Sequence, residues 1–427
     1  MISLGKIIWS DLGKIFAGNI VIQISTVFQT IITSRILGPE DKGHFIEIIL
    51  WPTVISGFSI LGFYTGIAKL SANEKIQERY DLVKTTLQAT SIVGIIGFII
   101  SLFLTPLLVN KPDSILIRTS MIFSSFVLIN NIARGFNAID HGQKNFSRYS
   151  ITRAMLNPIF FLFLLALYIL GEINIETVVF ALLASNFCVA AVRVILAFRH
   201  RTEKLKSYPL KTLFKYSIRY APSDLSEPIY AYYDKAIMAS VLLSFDLGIY
   251  TTAYSAASII NIIPNVYGIK LFSDVASLHN PEHISSAIRQ NIILMSLCCI
   301  AFAPLLPILI PLVFGNEFSS AILPSILLLI TCTIQGLSFV IERGVLALGY
   351  PYMGIKAKGI AMILMCVLAL FFKIFGVINI YSMILIVTIC QILYYIYMMR
   401  QLKSISSNIC LIPRIVDFKI MKNRFLK

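Results

Sequence analysis

Between Tyr220 and Ser258 the chain reads YAPSDLSEPIYAYYDKAIMASVLLSFDLGIYTTAYSAAS, and ionisable residues crowd its first half: Arg219 just before it, then Asp224, Glu227, Asp234 and Lys235. An arginine grips a phosphate through parallel N–H donors, whereas a lysine acts as a point charge. The carboxylates can pair with such cations, or carry a proton or sodium ion. The stretch is otherwise apolar enough to cross a bilayer, where ionisable groups face the bundle interior or a wet cavity. Pro222 and Pro228 free backbone carbonyls and bend the helix. Further cations stand near the ends of other apolar stretches: Arg134, Arg118, Lys69 and Arg153. Snorkelling to lipid headgroups is the plainer explanation for those four, and a pair that only holds helices together is the plainer one for Asp234 and Lys235. Asn130, Asn131, Asn157, Asn261, Asn265 and Gln335 suit sugar hydroxyls, as do Tyr230, Tyr232 and Tyr233; for the amides, interhelical hydrogen bonds compete with that role.

A polar, kinked helix of this kind needs apolar helices around it, and the composition supplies them. The chain is 57% hydrophobic and 13% charged, with a mean hydropathy of +0.82. Soluble domains carry about 25% charged residues, so this is a polytopic membrane protein. The expected fold class is all-α with about twelve spans, at 15–36, 44–68, 85–109, 115–138, 150–170, 176–198, 216–243, 249–272, 289–314, 319–341, 356–376 and 379–399. Met1 to Lys14 reads as an interfacial lead-in, Arg199 to Lys215 as a basic connector, and residues 401–427 as a basic cytoplasmic tail. With both termini inside, 29 of the 36 lysines and arginines fall in or beside cytoplasmic loops and five on the opposite side, Arg219 and Lys235 lying within span seven. That asymmetry obeys the positive-inside rule and accounts for the net charge of +15 without nucleic acid. Seven scattered cysteines have neither disulfide nor metal-ligand spacing, and the N-terminus lacks the cleavage site of a signal peptide.

The chain also repeats itself. LGPEDKGHF at Leu37 matches LLSFDLGIY at offset 205, Thr105-Pro106-Leu107 matches Ile310-Pro311-Leu312 at the same offset, and Arg134-Gly135 matches Arg343-Gly344 at offset 209. Three matches in order at a nearly constant offset imply two six-helix lobes, 1–204 and 205–400. Because six is even, both lobes insert the same way up, the arrangement of transporters that rock around a central cleft.

RILGPEDKG after the first span, the Pro…Asp-Lys helix ending in DLGIY, VFGNEF after span nine and ERGVLALGYP after span ten resemble one family. It is the polysaccharide-transporter branch of the MATE-like MOP superfamily, which includes O-antigen and lipid-linked oligosaccharide flippases, and the likeness runs from about Leu12 to Arg400. His44 departs from the small or apolar residue expected there. The resemblance implies a MATE-like protein of a bacterial inner membrane that turns a polyprenyl-diphosphate-linked oligosaccharide, an O-antigen or capsule repeat unit, to the outer leaflet by alternating access. It also implies a cationic cavity, membrane lipids around it, and glycan-assembly proteins as partners. For such a substrate the expected contacts are Arg219, Lys235, Asp234, Asp224, Glu227, Arg134, Arg118 and Lys69. No cofactor or metal is expected, and the residues leave proton or sodium coupling open.

Two other functions compete. An ion-coupled multidrug antiporter on the same fold would favour an acidic, aromatic pocket, against the positive excess here. A membrane-bound glycan polymerase or ligase would need a sizeable outer loop carrying catalytic groups. The outer loops here are as short as GEINIE and GNEF, and His44, His141, His200, His279 and His283 have no metal or nucleophile neighbour. The chain is therefore expected not to be an enzyme.

Overall fold

The computed structural model describes residues 11–109, 114–199, 205–265, 267–268, 271, 281–348 and 350–405, so the expected lead-in over residues 1–10 and the tail beyond 405 lie outside the described residues. The fold is all-α. Packing divides the chain into two units, one of residues 1–29 and 40–240, the other of 30–39 and 241–427. These are groupings by contact, whereas the expected lobes 1–204 and 205–400 are repeats of sequence, and the two divisions need not share a boundary.

The long helix α1 (Asp11–Ser59), whose residues 30–39 group with the second unit, holds the first expected span and most of the second, joined across a kink at Gly38 (φ 72°, ψ 178°). The sequence predicts a loop between residues 36 and 44. Instead one glycine in a conformation that L side chains avoid breaks the axis, and Pro39 restarts the helix with its ring in place of an N–H that had no partner. The second expected span breaks again at Leu61 (φ 45°) and Gly62 (φ 82°), after which α2 (Phe63–Ser71) resumes. There follow α3 (Glu74–Arg79), α4 (Val83–Leu108), α5 (Ser114–Phe123), α6 (Phe126–Gly142), α7 (Phe146–Ala154), α8 (Leu156–Leu170) and α9 (Ile175–Arg199).

The helix α4 shows how a membrane sequence packs. Its buried face is small or hydroxylic: Thr86, Ala89, Thr90, Val93, Gly94, Gly97 and Ser101. Its exposed face is Ile95, Ile96, Ile99, Ile100 and Phe103, which belongs in lipid. Lipid already solvates apolar side chains, so helices associate where small residues let backbones approach. A Cβ on Gly97 would sit 2.6 Å from the Ser59 side chain, and one on Gly135 of α6 would sit 2.5 Å from Thr90.

The basic connector is not a plain loop. After α9 a two-residue strand β2 (Lys206–Ser207) pairs in parallel with β1 (Tyr80–Asp81), in the register Tyr80 to Lys206. Amphipathic α10 (Leu210–Ser217) then buries Leu213 in a core shared with Phe63, Ile67, Val83, Phe136 and Ile139. A single 3-10 turn, Ile218–Tyr220, leads into α11 (Ala221–Val241), the charged helix singled out above.

The second unit contains α12 (Ser244–Ala257), α13 (Pro281–Phe302), α14 (Leu306–Phe314), α15 (Ile322–Ala347), α16 (Pro351–Ile374) and α17 (Ile380–Ile405). Arg35 of its short first segment donates to the carbonyls of Leu312 and Val313, the latter at 2.6 Å, and so caps the C-terminal end of α14. Glu342 of α15 accepts from Lys358 of α16 at 2.6 Å and from the Tyr394 hydroxyl of α17 at 2.9 Å, tying three helices together.

Among the described residues nine helical stretches are long and apolar enough to cross a membrane, not twelve. Spans one and two count as a single stretch because Gly38 kinks the helix without ending it. Spans seven and eight are not among them: α11 carries four acidic or basic residues, and the described part of its successor interleaves its apolar residues with Asp246 and several serines, threonines and tyrosines. The protein is a multi-pass membrane protein.

Candidate functional site

A cavity of about 360 Å³ opens within the first unit, every lining residue belonging to it. Three helices supply most of its polar wall, each along one face. From α6 come Asn130, Arg134 and Asn137, spaced four and three residues apart, and from α7 come Tyr149 and Arg153, four apart. From α9 come Asn186 and Arg193, seven apart. Those are the intervals at which helical side chains share a face. Tyr64 of α2 and Tyr232 of α11 complete the polar lining, and Ile22, Thr53 and Gly57 come from α1.

Among the described residues the lining is cationic: three guanidiniums and no carboxylate. Asp140 on α6, within electrostatic reach of Arg193 but not part of the lining, is buried and accepts from the Arg148 Nε at 2.6 Å in an ion pair with that guanidinium. Cations grouped in a low-dielectric wall reinforce one another's field toward an anion. Arg153 donates to the Tyr149 hydroxyl at 3.0 Å, and its guanidinium lies 5.1 Å from that ring's centre. The Tyr149 and Tyr64 hydroxyls are 3.4 Å apart, and the Tyr64 hydroxyl lies 3.4 Å from the His141 Nδ1. Arg193 is only 8% exposed. It donates to the backbone carbonyls of Ala133 at 3.4 Å and Thr152 at 3.1 Å. With the Asn137 amide turned so that its oxygen faces the guanidinium, that oxygen accepts from both terminal nitrogens at 3.3 and 3.2 Å.

Of the residues singled out from sequence, Arg134, Arg153, Asn130 and Tyr232 line this cavity. Asp224 is buried, and its carboxylate accepts from the Thr65 backbone N–H at 3.1 Å and the Thr65 hydroxyl at 2.5 Å, at the start of α2. Asp234 is half-buried and accepts from the backbone N–H of Lys235 at 2.8 Å, while the Lys235 ammonium lies 5.7 Å from the Tyr232 ring centre. Lys69 is exposed, its ammonium 4.4 Å over the Tyr220 ring. Arg118 and Arg219 are exposed on α5 and in the turn before α11. The side chain of Glu227 lies outside the described residues.

Among the amides, Asn130 lines the cavity while donating to Ser56 at 2.8 Å, and Asn131 is fully buried and donates to Ser59 at 2.6 Å. Asn261 and Tyr254 both donate to Gln335 in the second unit. Sequence reasoning missed Arg193, Asn137, Asn186, Tyr64 and Tyr149. Arg193 falls within expected span six, a turn and a half inside α9 and seven residues from Asn186, a spacing legible in the sequence.

Comparison with known proteins places the chain. The family described as polysaccharide biosynthesis protein matches residues 8–272. No curated protein sequence matches. Among solved structures, the fold is similar to that of the lipid II flippase MurJ in an inward closed conformation, with a TM-score of 0.74 at 15% identity over 95% of this chain and 88% of that one. It is similar also to multidrug resistance MATE family transporters of the MOP superfamily. The inward-facing one gives a TM-score of 0.66 at 11% identity over 90% and 96% of the two chains, and the outward-facing one 0.59 at 13% over 93% and 97%. At these identities the likeness establishes a MATE-like fold.

Proposed function

Since this chain belongs to the polysaccharide biosynthesis protein family, within the MATE-like MOP superfamily, we propose that it flips a polyprenyl-diphosphate-linked oligosaccharide across the cytoplasmic membrane. The observation that carries this reading is the arginine-lined cavity. A diphosphate headgroup is anionic and strongly hydrated, so moving it past lipid requires a wet path with fixed cations. Arg134 and Arg153 offer guanidinium forks of the geometry phosphate oxygens accept. Asn130, Asn186 and the phenols of Tyr64, Tyr149 and Tyr232 offer the mixed donors and acceptors that sugar hydroxyls use.

Charge placement in the sequence puts the Gly142 end of α6 and the Phe146 end of α7 on the cytoplasmic side. Arg134 stands eight residues, about 12 Å, from the first end, and Arg153 seven residues, about 10 Å, from the second. The cavity then receives the headgroup from the inner leaflet, where such carriers are assembled, while the polyprenyl tail stays in lipid. Alternating access releases it on the far side, driven by a proton or sodium gradient, and the protein makes and breaks no covalent bond. An O-antigen or capsule unit in a bacterial inner membrane, with both termini cytoplasmic and glycan-assembly proteins as neighbours, completes this reading.

Reconstitution in liposomes with a fluorescent polyprenyl-diphosphate-linked glycan tests it. The expected outcome is protein-dependent appearance of the glycan on the far leaflet, lost in Arg134→Ala. The likeness of fold to MATE transporters favours a second reading, a drug antiporter. Efflux of an organic cation under an ion gradient, with no carrier movement, would establish that function instead.

A further inference from the structure

Arg193 differs from the other two arginines of the cavity in where its donors go. Its two terminal nitrogens reach the carbonyls of Ala133 and Thr152, residues that immediately precede Arg134 and Arg153 in the chain. The Asn137 amide oxygen, one helical turn beyond Ala133, takes the same two nitrogens. One buried guanidinium on α9 thus ties the backbone of α6 to that of α7 at the two points from which the cavity's forked cations project.

We infer that Arg193 is a positioning residue: it fixes the separation and aim of Arg134 and Arg153 so that the pair can take the two phosphates of one diphosphate. The inference rests on the proposed reading of the cavity as a headgroup site and deepens it. The Ala133 carbonyl, in mid-helix, already has its place in the helical ladder, so the additional bond to Arg193 adds little to α6 itself, whereas the Thr152 carbonyl stands in the last turn of α7, where Arg193 also caps the helix end. What it adds is a fixed distance between two helices. Arginine suits that task because its planar fork reaches several acceptors in one geometry, which a lysine ammonium does not. The Gly135 contact with Thr90 holds the opposite side of α6 against α4, so α6 is seated from both sides close to Arg134.

The test uses inorganic pyrophosphate, which carries the diphosphate without lipid or glycan, titrated into the purified full-length protein in detergent. Arg193→Lys keeps the charge and removes the fork, and it is expected to weaken pyrophosphate binding about tenfold, equivalent to about 1.4 kcal/mol. Arg193→Gln, which keeps a single amide donor, is measured beside it in case the lysine variant does not fold. The discriminating readout is the cycle with Arg134→Ala. A positioning residue acts through its partner, so Arg193→Lys should weaken binding less than threefold once Arg134 is gone. A full tenfold loss in both backgrounds would make Arg193 an independent contact and overturn the proposal. So would unchanged binding in Arg193→Lys and Arg193→Gln, or a wild type that does not bind pyrophosphate. Coupling present with no carrier flipped in liposomes would retain the positioning role and remove the flippase reading.

Discussion

At the scale of single residues, the arginines of the cavity divide by burial and by role. Arg134 and Arg153 line the space, and their removal is expected to be felt by the headgroup directly. A hydrogen bond to a charged group contributes about 1.5–3 kcal/mol. Arg134→Ala should therefore weaken carrier binding roughly tenfold to a hundredfold, with Arg134→Lys between it and the wild type, read by titration of the labelled carrier. Tyr149→Phe removes the oxygen that accepts from Arg153. Its donor is a charged guanidinium, so the bond has a net value of about 1.5–3 kcal/mol, and a loss of about tenfold or more is expected in the same titration. Of the eight residues that sequence pointed to, Arg134 was found in the cavity wall. It was legible because it lies on a helix face shared with Asn130 and Asn137. Arg193 was harder to see, because its location beside a basic connector suggested an ordinary cytoplasmic anchor.

At the scale of elements, the break between α1 and α2 is where sequence and packing meet most tightly. Gly62 sits at φ 82°, and a Cβ there would come within 2.3 Å of the Ser217 carbonyl oxygen and 2.5 Å of the Ala221 nitrogen. Gly62→Ala should lower the melting temperature in detergent, because the backbone strain alone is on the order of 1–3 kcal/mol and the clash falls on backbone that cannot move aside. Asp224 then closes the same joint, its carboxylate satisfying a free N–H at the start of α2. Asp224→Ala is expected to destabilise the protein by about 1–3 kcal/mol, since it leaves a part-buried N–H and hydroxyl of Thr65 without their acceptor. The same melting experiment reads it, and Thr65→Val should reproduce part of the loss. The charged helix α11 thus serves partly as a fastening for a broken neighbour. The clustering of charge in its sequence announced a polar surround without saying which neighbour would provide it.

At the scale of the whole molecule, hydropathy and charge placement give the expected topology, and labelling can check it. With the seven native cysteines replaced, single cysteines at Lys144 and Gly171 should react with a membrane-impermeant maleimide from opposite sides of the membrane. Labelling of both from one side would reverse a helix hairpin and the reading of the cavity as cytoplasmic. The repeat at offsets 205 and 209 was visible because motifs at helix ends survive as short strings. Spans seven and eight, expected from sequence, are not among the stretches apolar enough to cross a membrane within the described residues, α11 because of its charge. The membrane class, the positions of most spans, the sidedness expected of their loops and the likeness to a transporter family were determined by sequence alone. Transfer into lipid and attraction to the cytoplasmic face are summed residue by residue along short windows, so no folded structure is needed to read them. The convergence of Arg134, Arg153 and Arg193 on one cavity, and the hold of Asp224 on Thr65, were decided only by tertiary structure. The acceptors of Arg193 lie 60 and 41 residues away along the chain, and Thr65 lies 159 residues from Asp224. Which polar side chains meet depends on how the helices rotate and approach, and that is set by the small residues that let their backbones touch.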